Sequence, residues 1–166
     1  MTAEASKRRR GLLAILLSTF ANYLTITILT IALRPITIAF GADVDDAAWV
    51  QLAPALVSGL LTPAAGKLAD DLGRLLVFRL GVVFTSLGTL GCALAPTLAA
   101  LVGARVLTGI GTALAMPSGL ALASALYPPE QRSIPVGWWT SITAFAPALG
   151  VLVGGAVVEE LSWRYL

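Results

Sequence analysis

Charged side chains divide this 166-residue chain into five uncharged runs, 11–33, 47–66, 80–104, 106–129 and 133–158. Each is about 20 residues or longer, and a helix rising about 1.5 Å per residue needs about 20 to cross a hydrocarbon core of about 30 Å. Barrel strands are about 10 residues long and alternate strictly between two faces, whereas these runs are apolar on every side. The pattern predicts an all-α membrane protein with spanning helices near 11–33, 47–66, 76–95, 98–126 and 135–158, behind a basic segment 1–10. Composition agrees: 57% of residues are hydrophobic and 12% charged, and the mean hydropathy of +0.87 lies outside the range of a water-soluble domain. The lipid bilayer is therefore the first partner to expect.

Orientation follows from the basic residues. With a cytoplasmic N-terminus, Lys7, Arg8, Arg9, Arg10, Lys67, Arg74, Arg79 and Arg132 fall inside and only Arg34 and Arg164 outside, as the positive-inside rule prefers. The basic cluster sits directly before an apolar run, which makes it a topology signal in the cell membrane rather than a nucleic-acid patch. That run is too long for a cleaved signal peptide and is not followed promptly by a small-x-small site. Cys92 is the single cysteine, so no disulfide forms within the chain, and the absence of histidine removes imidazole metal sites. No metal-ligand cluster, catalytic carboxylate pair or activated nucleophile points to an enzyme.

Arg105 is the most costly residue here. If its helix starts near Leu98, it lies about 10 Å below the outer surface, where an arginine costs on the order of 3 kcal/mol unless it meets an acceptor or a water-filled cavity. Ser18, Asn22 and Thr25 recur at i, i+4 and i+7 on one face of the first helix and offer acceptors for such a cavity. Pro54, Pro63, Pro117 and Pro147 each remove a backbone hydrogen bond within a span, which neighbouring helices then have to satisfy. Small residues four apart, Gly109 with Ala113 and Ala146 with Gly150 and Gly154, permit close helix approach. No aspartate or glutamate lies in the middle of any run.

Several stretches resemble the major facilitator superfamily in the correct order. "GKLADDLGR" is similar to the superfamily's G-x-L-A-D-x-x-G-R signature in the cytoplasmic loop between helices 2 and 3, with Gly66, Asp70, Gly73 and Arg74 in register. "RVLTGIGTALAMPSGLAL" resembles its helix 4 R-x-x-x-G-x-G segment, placing Arg105, Gly109 and Gly111. "APALGVLVGGAVVEELSWRYL" looks like the helix 5 antiporter motif, with Pro147, Gly150, Gly154 and Gly155, followed by the Trp-Arg-aromatic ending of the fourteen-helix drug:proton antiporters. "TITILTIALRPI" matches that family's first helix more loosely.

The resemblance implies a partial N-terminal bundle over 11–166, whose missing C-terminal helices complete an alternating-access carrier. It implies that Asp70 and Arg74 join a charge network at a cytoplasmic gate, the carboxylate favoured near a helix N-terminus and Gly66 and Gly73 allowing a tight turn. Asn22, Thr25 and Arg105 become candidates for the substrate cavity or its coupling. Gly66, Asp70, Asp71 and Leu72 are echoed by Gly155, Glu159, Glu160 and Leu161, with an arginine after each at Arg74 and Arg164, as a nested inverted repeat predicts. The sequence departs from the pattern where Thr25 replaces the helix 1 aspartate, Thr108 a helix 4 glutamine and Val151 the central proline of the helix 5 motif. Asp71 stands where arginine is usual, and Leu75 and Leu76 replace often basic positions. The expected function is efflux of small hydrophobic compounds of drug or antibiotic type, with a proton gradient as energy and no cofactor. The alternative within the same fold is an uptake or metabolite carrier.

Overall fold

The computed structural model describes the backbone of residues 3–160 and the side chains of residues 8–155. Lys7, Glu159, Glu160, Leu161 and Arg164 lie outside the described side chains. Among the described residues six α-helices follow in order: α1 (Ala3–Ile31), α2 (Leu33–Phe40), α3 (Val44–Leu72), α4 (Arg74–Leu94), α5 (Leu98–Ala125) and α6 (Ser133–Glu160), with a 3₁₀ turn, Pro129–Gln131, before the last. Five of them are long and apolar enough to cross a membrane, from Arg8–Ile31 to Pro129–Gly155.

The differences from expectation are at the ends. Helix α1 begins at Ala3, so the basic segment is the first turns of the helix rather than a separate tail. The segment after the first span forms α2: Pro35 is tolerated in its first turn, and Gly41 closes it at φ 58°, a left-handed conformation open to glycine. The 66–72 stretch, expected in a loop, is helical to Leu72, and only Gly73, at φ 93°, separates α3 from α4. Helix α3 has 29 residues and reaches roughly 43 Å, well past a core of about 30 Å, so its charged end clears the lipid without leaving the helix.

Helix α5 is central, with α4 along one side and α3 along the other, while α6 lies along α1. Close approach comes from glycine. A Cβ on Gly88 would stand 2.7 Å from the Thr108 backbone nitrogen, and one on Gly150 2.8 Å from Thr27 Cβ. Leucines such as Leu60 and Leu152 remain exposed, a surface suited to acyl chains.

Two apolar clusters close the ends of the bundle. One joins Leu29, Ile36, Val50, Cys92 and Leu101, and the other joins Leu12, Ile15, Leu16 and Ala123 with Phe78 and Trp139 packed against them. The buried polar residues Asn22, Arg105 and Thr108 lie between these clusters along α1 and α5.

Candidate functional site

The site is built on one proline. Pro54 has no N–H, so the Val50 carbonyl four residues earlier in α3 lacks its helical donor. Arg105 Nε donates to that carbonyl oxygen at 3.0 Å, in a side chain only 2% exposed. Four residues on, Gly109 lies flat against the same kink: a Cβ there would stand 2.7 Å from the Pro54 oxygen. The sequence required an acceptor or a cavity for Arg105, and the structure supplies both.

Arg105 also lines a cavity of about 300 Å³ whose wall includes Asn22, Thr25, Gln51, Thr85, Thr89, Thr108 and Thr112. A larger cavity, about 760 Å³, opens between α1, α4 and α5 and takes in Ser18, Asn22, Thr25, Cys92 and Met116. Among the described residues no acidic side chain lines either one. The predicted stripe of Ser18, Asn22 and Thr25 thus faces cavity, and Asn22, Thr25 and Arg105 share the smaller one. A polar ladder ties the two walls together: Asn22 Nδ2 donates to Thr112 Oγ1 at 3.2 Å, Thr112 Oγ1 to the Thr108 carbonyl at 2.9 Å, and Thr108 Oγ1 to the Arg105 carbonyl at 2.7 Å. Thr112, Thr85, Thr89 and Gln51 were not singled out by sequence reasoning. Threonines in apolar spans commonly bond to their own helix, and their spacing alone does not separate wall from packing.

The 66–74 segment lies apart from these cavities. Asp70 and Arg74 approach to 3.7 Å across the Gly73 break between α3 and α4, with 71% and 50% of their side chains exposed, so their mutual attraction contributes at most about 1 kcal/mol. The expected favourable position of Asp70 at a helix N-terminus is overturned. It occupies the last turn of α3, where the helix dipole opposes a carboxylate. Gly73 makes the turn, but a Cβ on Gly66 would meet nothing within 4 Å, so Gly66 serves no close contact among the described residues. Of the helix 5 residues, Gly150 and Gly154 let α6 meet α1, with a Gly154 Cβ standing 3.3 Å from Ile28 Cα. A Cβ on Gly155 would meet nothing within 4 Å among the described residues, and Pro147 sits within α6, leaving the Thr143 carbonyl without its helical donor.

Comparison with known proteins assigns this arrangement. The family model of the Major Facilitator Superfamily matches residues 15–166. The probable multidrug resistance protein EmrY of Escherichia coli is 32% identical over 154 residues, 93% of this chain and 30% of that protein. The multidrug resistance protein Stp of Mycobacterium tuberculosis is 33% identical, over 92% of this chain and 29% of that protein. The chain spans about 30% of the length of the curated relatives it matches. The crystal structure of a bacterial homologue of the human lysosomal transporter Spinster, inward-facing and unoccupied, superposes with a TM-score of 0.81 at 28% identity, covering 95% of this chain and 32% of that one. Family match, relatives and helix arrangement agree over nearly every residue: this multi-pass membrane protein belongs to the Major Facilitator Superfamily.

Proposed function

We propose that the chain is the N-terminal part of an exporter of small hydrophobic compounds, driven by proton influx and working by alternating access. The carrying observation is the mid-bundle pair of cavities, the larger apolar over most of its wall and the smaller lined by Arg105, with Asn22 shared by both, in a chain whose relatives include multidrug resistance proteins. Further helices, of the fourteen-helix antiporter type, complete the carrier, since relatives are about three times as long and alternating access needs a second bundle. The N-terminus lies in the cytoplasm of a cell whose plasma membrane holds the protein, as the basic residues favour. No carboxylate stands in either described cavity, so the group that carries the proton belongs to another part of the carrier.

Accumulation of a fluorescent hydrophobic drug in inverted vesicles, with and without an inward-acid pH gradient, tests this reading. Uptake into the vesicles that collapses when the gradient is dissipated is the expected result. Movement in the opposite sense, or indifference to the gradient, favours the uptake or metabolite carrier, for which the arginine without an acidic neighbour is the supporting feature.

Asp70 and Arg74 are assigned to the cytoplasmic gate. A carboxylate at the unfavourable end of a helix, in a weak and exposed ion pair, does little for its own bundle and remains available to a partner bundle. Asp70→Asn in the full-length carrier is expected to lower turnover on the order of tenfold, the rate equivalent of losing a charged contact of about 1.5 kcal/mol. Membrane insertion should be unchanged, and wild-type transport rates in this variant remove the gate assignment.

A further inference from the structure

Two buried side-chain atoms have no hydrogen-bond partner among the described residues, Asn22 Oδ1 and Ser118 Oγ. Asn22 lines both cavities and Ser118 neither. The orientation of the Asn22 amide follows from its neighbour. The Thr112 hydroxyl gives its proton to the Thr108 carbonyl, so it offers Asn22 only lone pairs, and the amide turns its nitrogen towards it. Reversing the amide would set oxygen against oxygen. Oδ1 is therefore left facing no donor in a residue that is 7% exposed, and an unsatisfied buried acceptor is costly.

Its surroundings share the deficit. Four side chains belong to the walls of both cavities: Asn22, Thr25, Thr85 and Thr89. The three threonine hydroxyls donate at 2.9 Å to carbonyls one turn back in their own helices, those of Ala21, Gly81 and Thr85. With their protons given to the backbone, these hydroxyls have only lone pairs left to offer. A cation would meet no carboxylate of the described residues in either wall, and Arg105 in the smaller one.

We infer that the partition between the two cavities recognises its substrate by a hydrogen-bond donor: a neutral, largely apolar compound carrying an N–H or O–H, read by Asn22 Oδ1. This rests on the export reading and names the chemistry the exporter selects. Thr112 acts as a positioning residue that keeps the amide oxygen turned towards the substrate.

The test compares N-phenyl-1-naphthylamine, neutral with one N–H, and its N-methyl derivative, which has none. Binding to the full-length carrier in proteoliposomes is followed by dye fluorescence, and export by its decay. The wild-type protein should prefer the N–H probe by about fivefold, the worth of one neutral hydrogen bond. Asn22→Leu should erase the preference by weakening the N–H probe alone, and Thr112→Val should shrink it by releasing the amide; the second variant decides the matter if the first does not fold. A water molecule serving Oδ1 would treat both probes alike, so equal affinities in the wild type, or a preference that survives both substitutions, overturn the inference. Selective binding without export leaves the inference standing and removes the export reading instead.

Discussion

Arg105→Ala in the full-length carrier is expected to lower export tenfold to a hundredfold and to destabilise the bundle as well. The guanidinium is the donor to the Val50 carbonyl, which accounts for the stability, while Arg105 also lines the smaller cavity, where a charged hydrogen bond of about 1.5–3 kcal/mol made to the substrate in the transition state corresponds to that range of rate. The carbonyl is left in a buried position with no helical donor, because Pro54 occupies the site where one would stand. Stability and transport separate through the proline. Pro54→Ala restores an N–H four residues after Val50, lets α3 close its own hydrogen bond and makes the arginine dispensable as a cap. The double variant Pro54→Ala with Arg105→Ala should therefore recover most of the lost thermal stability in detergent while export stays low. Recovery of export along with stability would reduce Arg105 to a cap on a kinked helix. Lysine in its place should perform poorly in both respects, since a flexible point charge does not reproduce the planar guanidinium.

This pair also marks where sequence reasoning reached its limit. The spans were legible because lipid leaves the chain few options: an uncharged run of about 20 residues must satisfy its backbone within a helix. The need for an acceptor beside Arg105 and the common face of Ser18, Asn22 and Thr25 were legible for similar reasons, one from the cost of a buried charge and one from helical period. Pro54 announced that a carbonyl would go unpaired. It did not announce that the donor lies 55 positions away, because that depends on how α5 settles against α3. Across 66–72 charge suggests a loop, but a helix ends where its hydrogen bonds do, at Gly73. Helix α2 was missed because it is 8 residues long, carries Arg34 and Pro35 in its first turn, and shows too short a run for periodicity to register.

Gly109→Val should separate α5 from α3 and carry the site with it. At Gly109 the atoms in the way belong to backbone: Pro54 O at 2.7 Å and Pro54 Cα at 2.8 Å from the position of a Cβ. Backbone has no alternative rotamer, so the helices must move apart, and overpacking of this kind costs about 1–3 kcal/mol. The displacement acts one turn from Arg105, whose bond to Val50 at 3.0 Å has little slack. Export should fall at least as far as in Arg105→Ala, with an earlier thermal transition in detergent. Gly103→Val, on the same helix, is the matched control, since a Cβ there meets nothing within 4 Å and the substitution is expected to leave both measurements near wild type. Equal behaviour of the two variants would mean that glycine at these positions reflects helix flexibility in general, and that the contact of α5 with the Pro54 kink does not hold Arg105 in place.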